Sequence, residues 1–159
     1  MDMVMQAAEL RQDVMMAQDM HRKIVQVDEF VITKKTWLTH EWSQKKTNIQ
    51  VNQSKAFNEP YAVILAISRE KGIELVDIHK KSINKMKFKQ FLERLRQLNF
   101  WNDITLMMDN LSFHKSEDVK ERMRELGFQY AYTPAYSPRY NGIEEVIGIG
   151  KRAVKKERL

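Results

Sequence analysis

Ile104-Thr105-Leu106-Met107-Met108-Asp109-Asn110 is a short, nearly all-apolar run that leads straight into a carboxylate and an amide. Its length and its polar boundaries predict a strand buried on both faces, the habit of sheets covered by helices on each side. The upstream residues supply one such helix. Phe88, Phe91, Leu92, Leu95 and Leu98 recur as a single stripe, behind a cap at Ser82 or Asn84. Downstream, Ser116 caps a short helix that closes at Gly127, Phe128 to Tyr132 reads as the last strand, and Ile143 to Arg158 as the last helix.

Further towards the N-terminus, Tyr61 to Ser68 is another apolar strand. Arg69-Glu70-Lys71-Gly72 turns it into a returning strand from Ile73 to His79, with Ile73, Leu75, Val76 and Ile78 as its apolar set. Lys23 to Phe30 is the first strand, its run of Ile24, Val25 and Val27 ending in Asp28-Glu29. Val4 to Met20 reads as a helix with Leu10, Val14 and Ala17 on one face, and its methionines are expected to fill core space. Three meandering strands followed by alternating helices and strands predict an α/β domain: a five-stranded mixed sheet flanked by helices. Ribonuclease-H-like (retroviral-integrase-like) domains share this order, and in them the first and fourth strands lie side by side.

Composition narrows the function. A chain of 159 residues fits one domain and can bury a sizeable core. The absence of cysteine excludes disulfide frameworks, thiolate zinc sites and cysteine nucleophiles. His21, His40, His79 and His114 are too scattered to suggest a zinc site. No apolar run approaches the roughly 20 residues of a membrane helix, so a soluble, intracellular protein is expected, nuclear in a eukaryotic host. Net charge is +6, with 27 basic residues against 21 acidic, which favours a polyanionic partner.

Charged residues seldom follow a buried strand directly, yet Asp28 and Asp109 both do. In the predicted topology they share one edge of neighbouring strands, where two carboxylates repel unless a proton or cation lies between them. Oxygen ligands of this kind select Mg²⁺ or Mn²⁺ over zinc. A third acid is available at Glu144 or Glu145, in the first turn of the last helix. Adjacent helical residues point about 100° apart, so only one of them can face the site.

Val27-Asp28-Glu29, Met108-Asp109-Asn110 with His114-Lys115-Ser116, and Thr133-Pro134-Ala135-Tyr136-Ser137-Pro138 leading to Asn141-Gly142-Ile143-Glu144 together resemble the signatures of the Tc/mariner superfamily of cut-and-paste transposases. In that family the last block typically reads Pro-x-Tyr-Ser-Pro, then Asp-Leu-Asn-Pro-Ile-Glu. Between Asp109 and Glu144 stand 34 residues, the spacing of the Asp-Asp-34-Glu branch. The resemblance covers the chain from about Lys23 to Lys156. It implies a catalytic triad of Asp28, Asp109 and Glu144, with Glu145 a neighbour. Asn110 and His114 match positions beside the site, and His114 reads as structural support. The implied cofactor is a pair of Mg²⁺ ions, with Mn²⁺ as a substitute, bridged by Asp28 and held separately by Asp109 and Glu144.

By the same resemblance residues 1–22 are a linker helix and residues 23–159 the catalytic domain, with an inserted arm at about 33–60. That polar arm carries Trp37 and Trp42, and it sits where mariner-type enzymes clasp a second subunit, so a homodimer is expected. The implied partner is double-stranded DNA, both transposon ends and target. Lys151, Arg152, Lys155 and Lys156 in the last helix are candidate phosphate contacts. The sequence departs from the family pattern at Arg139, Tyr140, Gly142 and Ile147. Gly148 and Gly150 lower the helical propensity of the last segment by up to about 1 kcal/mol each. The family's N-terminal recognition domains are not in this sequence, which therefore reads as a fragment or truncated product. The alternatives are a decayed or domesticated DNA-binding or dimerisation module, and another ribonuclease-H-like nuclease; the latter leaves Tyr136-Ser137-Pro138 unexplained.

Overall fold

The structure, a computed structural model, describes residues 3–33, 59–134 and 142–156, the last three by their backbone alone. The elements follow in the order α1 (Met3–Asp19), β1 (Lys23–Ile32), β2 (Tyr61–Ser68), β3 (Gly72–Lys80), α2 (Lys85–Leu98), β4 (Ile104–Met108), α3 (Glu117–Glu125), β5 (Gln129–Tyr132) and α4 (Ile143–Lys156). The strands form one five-stranded sheet in the order β3-β2-β1-β4-β5. β1, β2 and β3 pair antiparallel, whereas β4 joins β1 and β5 joins β4 in parallel. The first and fourth strands are therefore neighbours, as the element order predicts.

Among the described residues each face of the sheet carries a pair of helices. Val25 and Val27 of β1 and Leu106 and Met108 of β4 pack in one cluster with Phe88, Phe91, Leu92 and Leu95 of α2, and with Val119 and Met123 of α3. The four α2 side chains are wholly buried, and each contributes about 1.5–3 kcal/mol by leaving water. Asn84, not Ser82, caps this helix, its side chain accepting the Lys87 N–H. On the other face α1 lays Leu10 against Met107 and Ala131. α4 lays Ile143 and Ile147 against Leu65 and Phe30. α3 ends where Gly127 takes φ +73°, and the Phe128 N–H reaches back to the Met123 carbonyl, a turn that glycine makes without strain.

Three local expectations change. β1 does not stop at Phe30 but runs to Ile32, because β2 continues to pair with it, and Asp28, opposite Leu65, lies within the strand. The α1 methionines are not core filler. Met3, Met5, Met15 and Met16, and Met20 just past the helix, are all at least half exposed, since only the narrow stripe of Leu10 and Ala17 is buried in α1. In β3 the apolar Ile73, Val76 and Ile78 face solvent while Glu74 and Asp77 are buried. Leu75 joins the α2 side of the sheet, and Asp77 is ion-paired there with Arg94. Among the described residues no helix is long and apolar enough to cross a membrane.

Glu74 ties the far end of the sheet together. Its side chain is buried, pairs with Lys23 at the start of β1, and accepts from Ser68 and Asn99. Those bonds hold the Glu74 carboxyl below its usual range although burial opposes this. Removing one partner of a buried pair strands the other charge, so Glu74→Ala is expected to lose about 3 kcal/mol of stability in urea unfolding. A loss below about 1 kcal/mol would show that Lys23 finds water instead.

Candidate active site

Parallel pairing sets Val27 of β1 opposite Met108 of β4. The next residues, Asp28 and Asp109, therefore stand at the same level of strands that lie about 4.8 Å apart. Asp28 is half-buried inside β1, and its Oδ1 accepts the Glu29 N–H at 2.8 Å. Strand alternation sends Asp28 to the α4 face with Gln26 and Phe30, and sends Glu29 to the α2 face with Val25 and Val27. Asp109 is the first residue past β4. Its Oδ1 meets His114 Nδ1 at 2.9 Å and accepts the Leu111 N–H at 3.3 Å.

Glu144, the expected third acid, lies on α4, whose first turn is anchored on β1. Gln26 Oε1 accepts the Ile143 N–H at 3.0 Å, satisfying one of the donors that a helix start leaves open. Ile143 and Ile147 face the sheet, and Lys151 Nζ lies 5.5 Å from the centre of the Phe30 ring. At about 100° per residue, Glu144 lies on the flank shared with Lys151, while Glu145 points nearly opposite the buried face. Both carboxylates are exposed. α4 runs unbroken through Gly148 and Gly150, since its sheet contacts outweigh the two weak positions.

His114 is wholly buried, wedged against the rings of Phe88 and Phe113. Its Nε2 meets Glu29 Oε1 at 3.0 Å, so the imidazole joins Glu29 to Asp109. Burial opposes the imidazolium, but hydrogen bonds to Asp109 and Glu29, with the Glu29 charge, outweigh it and push the pKa from 6.5 up to about 9. Asn110, half-buried, keeps an Oδ1 that meets no hydrogen-bond partner among the described residues. Beside two carboxylates this oxygen-rich set suits a hard divalent cation. The donor atoms of Glu29, Asp109 and His114 also lie within 4.8 Å of one another.

Arg152 is exposed on α4, and the side chains of Lys155 and Lys156, the arm from 34 to 58 and the Tyr136-Ser137-Pro138 block lie outside the described residues. A cavity of about 650 Å³ between α1 and the start of α4 is lined by Leu10, Val14, Ile24, Ile67 and Met107. Among the described residues none of its lining side chains is a carboxylate, and Asp28 and Asp109 stand outside it. Sequence reasoning missed Glu29 and Gln26 as supports. The signal was period-2 alternation, which puts an acid on the buried face of β1 and a lone amide beneath α4.

The strand order, with two of the described helices on each face, an acid within β1 and another just past β4, defines a ribonuclease-H-like domain. A family model described as DDE superfamily endonuclease matches residues 23–159. The chain belongs to that family. Among solved structures, the catalytic domain of Mos1 mariner transposase is similar at a TM-score of 0.64 and 16% identity, covering 94% of this chain and 71% of that one. The Mos1 strand transfer complex gives 0.60 and 14%, covering 87% and 45%. A simian T-cell lymphotropic virus intasome in complex with PP2A regulatory subunit B56 gamma gives 0.60 and 16%, covering 84% and 40%. The chain thus spans about half the length of the Mos1 chains in the strand transfer and paired-end complexes. No curated protein matches it in sequence.

The His114 pairing makes stability depend on pH in the metal-free protein. A raised folded pKa contributes fully below pH 6.5 and is lost as pH rises through about 9. Unfolding in EDTA at pH 6 and pH 10 should differ by on the order of 3 kcal/mol from this group. His114→Gln should lack that difference, and an unchanged pH dependence in the variant would refute the assignment.

Proposed function

We propose that this chain is the catalytic core of a DNA transposase of Tc/mariner type, which cuts transposon ends and joins them to target DNA. The observation that carries the reading is the β1–β4 register, which delivers Asp28 and Asp109 side by side, with Glu144 on a helix anchored to the same strand. In this reading the three carboxylates hold two Mg²⁺ ions, or Mn²⁺ in their place. Mos1 catalytic domain structures with Mn and with Mg bear on that choice. The chemistry such ions supply is activation of water or a DNA 3′-hydroxyl and stabilisation of the leaving 3′-oxygen.

The protein's own part is to hold and to orient. Asp109 commits Oδ1 to His114 and the Leu111 N–H, which leaves Oδ2 for a cation. Glu144 sits exposed in the first turn of α4, free to reach a cation beside β1. Lys151, held over Phe30, and its neighbours Arg152, Lys155 and Lys156 supply phosphate contacts to double-stranded DNA. The arm at 33–60 is the proposed clasp of a homodimer.

The test is incubation with pre-nicked or end-exposed duplex DNA and Mn²⁺ or Mg²⁺, with products resolved on a denaturing gel. Asp109→Asn is expected to lower the cleavage rate on the order of 10³-fold or more, because several kcal/mol of charge stabilisation is withdrawn. Equal background in wild type and Asp109→Asn refutes the proposal. Cleavage confined to the RNA strand of a hybrid would make the protein a ribonuclease instead.

A further inference from the structure

We propose that Glu29 is a positioning residue that acts through His114 to aim the carboxylate of Asp109; this rests on the reading of Asp109 as a cation ligand. The starting point is strand geometry. Glu29 follows Asp28 in β1, so its side chain leaves by the opposite face, into the core that α2 covers. There it is only 11% exposed, and a buried carboxylate requires a partner. The partner is His114, whose Nε2 stands 3.0 Å from Glu29 Oε1.

His114 passes the constraint on to Asp109. Its ring centre lies 4.8 Å from that of Phe88 and 4.2 Å from that of Phe113, so packing fixes the ring plane. Nδ1 faces only acceptors, the Asp109 carbonyl at 3.3 Å and Asp109 Oδ1 at 2.9 Å. Nδ1 must therefore carry its proton and donate. Glu29 on the other nitrogen fixes which way the ring stands. The result is an Asp109 side chain with Oδ1 held from behind and Oδ2 turned to the cation side. A cation among Glu29, His114 and Asp109 themselves would have to break both imidazole hydrogen bonds, which argues for an ion-paired chain over a ligand shell. Carboxylates that sit behind ligands in this manner set ligand orientation and basicity, and their loss weakens metal binding by about 10–100-fold.

Mn²⁺ alone, titrated calorimetrically into the whole chain without DNA, tests this. The proteins are wild type, Asp109→Asn, Glu29→Ala and Glu29→Gln, each checked by its melting curve. Glu29→Ala is expected to raise the Mn²⁺ Kd about 10-fold or more, and Glu29→Gln several-fold, because the amide oxygen still accepts from Nε2. Cleavage by Glu29→Gln should recover towards the wild-type rate at saturating Mn²⁺, a shift in apparent metal affinity and not in kcat. A merely structural Glu29 would lower Tm and leave the Kd of the folded protein unchanged. Unchanged Mn²⁺ affinity in both Glu29 variants, with binding lost in Asp109→Asn, overturns the positioning role and leaves the metal site standing. Equal binding by wild type and Asp109→Asn overturns both. Where Glu29→Ala does not fold, the near-isosteric Glu29→Gln decides by itself.

Discussion

The register between β1 and β4 governs this molecule. The pairs from Lys23–Ile104 to Val27–Met108 join segments about eighty residues apart, and the buried stripe of Val25, Val27, Leu106 and Met108 beneath α2 holds them in phase. In a strand one residue of slip exchanges the two faces. Moving β1 by a single position would send Asp28 under α2 and bring Glu29 to the α4 side. Burial of two valines on one face therefore decides which of two adjacent acids faces α4. Stability and chemistry depend on the same alternation.

The two faces of the sheet then divide the work. The α2 face is the main core, and near the acids the chain from Glu29 through His114 to Asp109 brings charge into it. The α4 face is thinner. Ile143 and Ile147 seat the helix, and the bond from the Ile143 N–H to Gln26 fixes where its first turn begins. Gln26 lies two residues before Asp28 and projects from the same face, so one strand both carries a carboxylate and anchors the helix that brings another.

Charge balance at the acids has a source within the fold. Asp28, Glu29 and Asp109 concentrate negative charge at one sheet edge, and buried His114, kept protonated to about pH 9, lies against two of them. An imidazolium in that position offsets part of the repulsion that would otherwise push the carboxylates apart. It does so without occupying the side of Asp109 that a cation would use.

Much of this was legible in the chain. Apolar runs at 61–68 and 104–108, the stripe from Phe88 to Leu95, and the turn signals at Gly72 and Gly127 are local, so period and capping chemistry expose them. The interval from Asp109 to Glu144 and the paired motifs around them likewise need only the order of residues. The sequence could not say which face each residue takes, because face depends on pairing partners far away in the chain. Hence Ile73, Val76 and Ile78 read as the apolar set of their strand although among the described residues no helix covers that side of it, and the α1 methionines read as filler although Leu10 and Ala17 are the residues that α1 buries. Glu29 looked like a mere neighbour of Asp28. Only tertiary structure could join it to His114, since a hydrogen bond across 85 residues is set by the packing of Phe88 and Phe113 and leaves no period in the sequence.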